Sequence, residues 1–177
     1  LLKLCQSRST IPRKVWPLQA KPKRQMNIRG GSINHDNYSD DYLKQILTEV
    51  QTIALVGASP RPHRDSYLCM EALLREGYTV IPINPREAGE LILGQRCYAS
   101  LADLEQPVDM VDIFRSSEAA LAVTEEAIDI GAKVIWMQLE IRNQEAANMA
   151  EAAGIKVVMN RCPKIELEKP YWTGIVG

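Results

Sequence analysis

The sequence predicts a doubly wound α/β domain on a parallel sheet, and three observations carry that expectation. Short runs of Val, Ile, Leu and Met alternate with stretches of helical periodicity, the runs are apolar on both faces, and three of the helical stretches end at a glycine. Strands buried on both sides and separated by helices specify parallel pairing with helices over each face. At 177 residues the chain has the size of a single domain.

The elements follow in order. Over 38–50, Tyr42, Leu43, Ile46, Leu47 and Val50 recur at three- and four-residue steps behind Asp36, Asp40 and Asp41, which predicts an amphipathic lead-in helix with an acidic front. A first strand is expected over 52–57. A helix over 66–76 follows, capped by Asp65 or Ser66 and closed by Gly77. Strands over 79–84 and 108–114 come next, then a helix over 117–130 between Ser116 and Gly131. A fourth strand over 133–138 leads to Asn143, the cap of a helix over 144–153 that stops at Gly154, and a fifth strand occupies 156–160. Right-handed crossovers then bring every strand's carboxyl end to one edge, the Rossmann-like arrangement in which ligands sit near the switch point.

Composition excludes several classes. Hydrophobic residues at 46%, charged residues at 24% and a mean hydropathy of −0.19 describe an ordinary soluble globule. Apolar runs such as 134–137 fall far short of the ~20 residues that span a bilayer. Residues 1–35 hold eight of the 21 lysines and arginines and none of the 22 acidic residues, so the other 142 residues are strongly acidic. Such a domain repels a phosphodiester backbone, and nucleic-acid binding by the folded part is not expected. Cys5, Cys69, Cys97 and Cys162 show no metal-type spacing, and His35 and His63 are the only histidines. No secretory signal pattern is present, and a cytoplasmic location with reduced thiols is expected.

The basic leader over 1–35, with Pro12, Pro17, Pro22, Gly30 and Gly31, has no core-forming period and reads as disordered. An anionic-surface tail, an organellar presequence and a stretch not translated in the natural protein all fit it; Leu1 and the position of Met26 point to a natural start at or near Met26. The folded domain is expected over 36–170, with a tail over 171–177.

Chemistry gathers on the strand-end edge. The first turn reads Gly57-Ala58-Ser59-Pro60-Arg61-Pro62-His63-Arg64-Asp65-Ser66, with one glycine where a dinucleotide fingerprint needs three. It does offer a helix amino terminus beside Arg61, Arg64 and the hydroxyls of Ser59 and Ser66, equipment for phosphate. The alternative is solvated arginines and a serine that only caps. The second strand ends Ile83-Asn84-Pro85-Arg86, without the carboxylate that holds an NAD ribose. Asn84 suits a ribose or amide and Arg86 an extra ribose phosphate, a group found in NADP and in coenzyme A; alternatively Asn84-Pro85 only breaks the strand. Phe114 and Arg115 offer a ring for adenine or pantetheine and a guanidinium for phosphate, or else a core ring and a partner for Asp112. Gln138 and Asn160 are neutral hydrogen-bonders suited to pantetheine amides. Cys162 has no neighbouring histidine, so a structural or occasionally oxidised thiol is expected ahead of a Cys/His nucleophile. Asp65, Asp109, Asp112 and Glu140 show no spacing that pairs them for acid–base work.

The segments 56–59, 64–66, 77–85 (Gly-Tyr-Thr-Val-Ile-Pro-Ile-Asn-Pro), 111–115, 136–139 (Trp-Met-Gln-Leu) and 160–163 (Asn-Arg-Cys-Pro) together resemble the small single-domain CoA-binding proteins of bacteria and archaea. That family is similar to the amino-terminal domain of the succinyl-CoA synthetase alpha subunit, and the resemblance covers about 40–168. It implies coenzyme A lying over the strand ends: Gly57, Ala58, Ser59, Arg61, Arg64 and Ser66 at phosphate, Asn84, Pro85 and Arg86 at the nucleotide end, and the later strand ends at pantetheine. One departure is Glu140, where the family usually has glycine; a side chain and a negative charge there oppose an anionic ligand. The ligase's phosphorylated histidine comes from a separate domain, so no catalysis by this polypeptide alone is expected. The sequence therefore predicts a binder of CoA or an acyl-CoA, acting as sensor, carrier or subunit, as a homo-oligomer or with a protein partner. An NADP-dependent oxidoreductase and a subunit of an acyl-CoA ligase-type complex are the alternatives.

Overall fold

Ser39 starts the first helix: its hydroxyl accepts from the Tyr42 N–H at 3.2 Å, and α1 runs Asp40–Glu49 with Leu43, Ile46 and Leu47 buried. This computed structural model describes residues 33–173. The basic leader ahead of them, including Met26, and residues 174–177 lie outside the described residues. His35, expected in the leader, belongs to the fold: it is buried, with Nδ1 2.7 Å from the Tyr38 hydroxyl.

After α1 the chain forms β1 (Thr52–Val56), α2 (Asp65–Arg75), β2 (Thr79–Ile83), a hairpin of β3 (Leu91–Ile92) and β4 (Gln95–Arg96), a single 3-10 turn over Leu101–Asp103, and β5 (Met110–Ile113). Then come α3 (Ala120–Asp129), β6 (Val134–Met137), α4 (Gln144–Ala152), β7 (Lys156–Val158), α5 (Pro163–Leu167) and α6 (Pro170–Thr173). The main sheet has the order β2-β1-β5-β6-β7, all parallel. Tyr98 adds a one-residue parallel bridge to Ile83 on the outer side of β2, the remnant of a sixth strand that would complete the Rossmann order.

Strand alternation assigns the two layers. Ala54, Val111, Ile113, Ile135 and Met137 pack with α3 and α4 residues such as Ala120, Ala127, Ala147 and Ala150. The alternate residues, among them Ile53, Leu55, Met110, Asp112 and Trp136, face the side of α1, α2 and α5. The register pairs Asp112 with Trp136, so Gln138, two residues on, shares that face. Trp136 is fully buried, and its indole N–H is satisfied by the Arg161 carbonyl at 2.7 Å.

All five expected strands are present, and Asn143 caps α4 through the Ala146 N–H. Four expectations need correction. The N-cap of α2 is Arg64, which has no side-chain cap bond, and Asp65 and Ser66 are its first two residues. Helix α3 begins at Ala120, because Ser116 caps only the preceding turn through the Ala119 N–H at 3.4 Å. The third sheet strand starts at Met110, two residues after the buried Val108. The boundary drawn at 170 falls on the first residue of α6.

Candidate ligand site at the carboxyl edge of the sheet

The chain leaves β1 toward β2 on one side and returns to β5 on the other, which makes the carboxyl ends of β1 and β5 the switch point. Backbone bonds stitch the loops there. Gly57 N–H donates to the Ile83 carbonyl at 2.9 Å, and Phe114 N–H donates to the Val56 carbonyl at 2.8 Å. Gly57 is obligatory on two counts: its φ is +93°, and a Cβ would lie 2.6 Å from the Phe114 carbonyl oxygen. This approach brings the loop over 57–64 against Phe114 and the stem of Arg115.

Along that edge Arg61, Arg64, Arg86 and Arg115 are exposed, and none of their guanidinium groups bonds or pairs with another described residue. With no side-chain cap on α2, the N–H groups of Asp65 and Ser66 also have no acceptor among the described residues. Free N–H groups at the positive end of an 11-residue helix, with cations around them, can take an anion. Ser59 is half-buried and accepts from the Arg61 N–H at 3.3 Å, which orders the turn; Ala58 and Ser66 are buried. Ser66 thus brings its N–H to this helix end as well.

Other expected residues serve the frame. Asn84 donates from Nδ2 to the Ala58 carbonyl at 2.8 Å and accepts the Arg86 N–H on Oδ1 at 3.0 Å, tying the second loop to the first, while Pro85 is exposed. Phe114 is half-buried. Asn160 accepts the Glu140 N–H at 2.8 Å, and both residues have positive φ, 54° and 65°. Glu140 therefore holds a left-handed backbone that a glycine would hold without strain.

Gln138 turns its amide inward. Its Nε2 donates to both Asp112 oxygens at 2.8 and 3.1 Å and lies 3.8 Å from the Cys69 sulfur, while the Cys69 thiol donates to Asp112 Oδ2 at 3.9 Å. Arg115 is not the partner of Asp112. Burial pushes the Asp112 carboxyl well above the usual range, with no cation among the described residues to offset it. Cys69 is held well above its ordinary value by its interaction with the Cys162 sulfur and by burial. That same interaction, helped by the N–H groups of Ile165 and Lys164 at the start of α5, draws the half-buried Cys162 thiol down to about 7. The sequence marked Cys162 alone; Cys69 and Asp112 come from distant elements and carry no local signal linking them to it.

The crossover topology therefore places the uncommitted cations at the switch point of a Rossmann-like sheet. The family model for the CoA binding domain matches residues 51–168, and the chain belongs to that family. It is 37% identical over 129 residues to the uncharacterized protein YneT of Bacillus subtilis, covering 73% of this chain and 94% of that one. A structure of a hypothetical protein from Pyrococcus horikoshii OT3 matches with a TM-score of 0.71 at 40% identity, over 78% of this chain and 96% of that chain. The chain is also 29% identical over 130 residues to the ADP-forming acetate–CoA ligase of Methanocaldococcus jannaschii, a match covering 69% of this chain and 18% of the ligase. No helix among the described residues is long and apolar enough to cross a membrane.

Proposed function

We propose that the protein binds coenzyme A or an acyl-CoA along the carboxyl edge of its sheet and does so without catalysing a reaction alone. The observation that carries this is the set of guanidinium groups, unpaired among the described residues, around the open amino terminus of α2 at the switch point. In this reading Arg61, Arg64 and the N–H groups of Asp65 and Ser66 hold the pyrophosphate. Gly57 and Ala58 let it approach the backbone, and Ser59 shapes the turn. Arg86, on the turn that Asn84 and Pro85 set, meets the ribose phosphate; Phe114 packs on adenine or the pantetheine arm, with Arg115 toward phosphate. Gln138 and Asn160 act from beneath, the first through the buried cluster and the second through the 140–141 turn.

Calorimetric titration and thermal shift with CoA, dephospho-CoA and NADPH test this. CoA is expected to bind, and at 100-fold excess over its dissociation constant to stabilise the fold by about 2.7 kcal/mol. Dephospho-CoA should bind more weakly, because Arg86 loses its phosphate. Binding of NADPH in place of CoA, or of neither, overturns the reading. The ligase similarity supports a second reading, a subunit of an acyl-CoA ligase-type complex; co-purification with larger ligase subunits from a native source would favour it.

A further inference from the structure

We propose that Cys162 and Cys69 are a thiol–disulfide couple, Cys162 attacking and Cys69 resolving, whose oxidant is a low-molecular-weight disulfide. The couple stands independently of the CoA reading, because its two reacting thiols are not among the groups assigned to the ligand.

The two cysteines belong to α2 and to the start of α5, elements that pack on each other. Both are free thiols, Cys69 buried and Cys162 half-buried, so small molecules reach the second and not the first. The Cys69 and Cys162 thiols interact with each other, and both interact with Asp112, so the three groups form one cluster before any reaction. The Lys164 and Ile165 N–H groups turn toward the Cys162 sulfur and favour its thiolate, the form that attacks a disulfide. Asp112 is fully buried, and among the described residues its hydrogen-bond partners are Gln138 and the Cys69 thiol. The Cys69 thiol is thereby held in place within the cluster. Cys97 is the contrast within the same chain: it is buried and donates to the carbonyls of Asn84 and Tyr98, with neither a second thiol nor a carboxylate bonded to it among the described residues.

The chemistry balances. The Cys162 thiolate attacks one sulfur of the small disulfide; a mixed disulfide forms and one small thiolate leaves. The Cys69 sulfur attacks the Cys162 sulfur, and the protein disulfide forms. The second small thiolate leaves and takes the proton that Cys69 gives up. Two protein thiols are oxidised and one small disulfide is reduced to two thiols.

The test uses the full chain, reduced and then exposed separately to glutathione disulfide and to CoA disulfide, with acid quench, alkylation and peptide mapping. Wild type should yield a Cys69–Cys162 crosslink, with a rate that climbs with pH and levels off above about 7. Cys69→Ser should stop at a mixed disulfide on Cys162, and Cys162→Ser should leave Cys69 reduced. A wild-type protein that keeps a stable mixed disulfide on Cys162, or leaves both thiols reduced, overturns the couple; this map decides even where a variant does not fold. Faster oxidation by CoA disulfide than by glutathione disulfide supports delivery along the strand-end edge. Equal rates support a couple open to any small disulfide and leave the CoA titrations to stand or fall on their own.

Discussion

At the amino edge of the sheet Lys133 meets Asp109 at 2.7 Å and Lys156 meets Glu49 at 2.7 Å, whereas at the carboxyl edge Arg61, Arg64, Arg86 and Arg115 meet no carboxylate among the described residues. The amino edge also has a cleft of roughly 440 Å3, lined by those same four paired residues together with Val50, Ile128 and Ile155. Its charges neutralise one another, and Asp109 further accepts the N–H groups of Gln51 and Thr52 at 3.0 and 3.1 Å. Concavity alone therefore does not mark the ligand side. In the proposed reading uncommitted donors do, since a site for an anion must leave its cations and helix N–H groups without internal partners until the ligand arrives.

The largest expected effect removes the close approach on which the carboxyl edge depends. Gly57→Ala places a Cβ against the Phe114 carbonyl at a positive φ and should lower stability by about 2–4 kcal/mol in urea unfolding. Next comes Arg64→Ala, which should weaken CoA binding by about 1–3 kcal/mol in calorimetry with little change in melting temperature. Glu140→Gly should act in the other direction on both readouts. It relieves the left-handed backbone, raising stability by about 1 kcal/mol, and removes a negative charge from the ligand edge, tightening CoA binding.

The smallest effect lies at the amino edge. Burial raises the Asp109 carboxyl, but its bonds from Lys133, Thr52 and Gln51 outweigh that and hold it below its ordinary value; the Lys156 hydrogen bond holds Glu49 low in the same way. Their stabilisation is full above the unfolded carboxylate range, about pH 4, and is lost as the pH falls through the lowered folded values. Lys133→Ala should flatten that acid-side loss in melts run across pH while leaving CoA affinity unchanged. A change in CoA affinity for this variant would break the contrast between the edges.

Much of this frame was legible in the sequence, for identifiable reasons. Apolar runs and helical periods marked five strands and four helices, because burial on both faces leaves a long-wavelength pattern. The glycines Gly77, Gly131 and Gly154 marked helix ends, and each has the positive φ expected there. The two-residue strands at 91–92 and 95–96 and the five-residue helix at 163–167 are too short to show a period. His35 looked like part of a basic leader because its partner, Tyr38, lies on the other side of the apparent boundary. At the site, the arginines could be placed on the edge by strand position alone. Gln138 could not be oriented that way: its inward turn depends on Asp112 one strand over and Cys69 on α2, and pairings between distant segments leave no mark in local composition.

A crystal structure of the protein with coenzyme A tests the central claim most directly. The account predicts the pyrophosphate seated against the 58–64 loop, within hydrogen-bond distance of the Asp65 and Ser66 N–H groups and of at least one of Arg61 and Arg64. Coenzyme A lying in the amino-edge cleft, or those arginines turned to solvent with no phosphate near them, would contradict it.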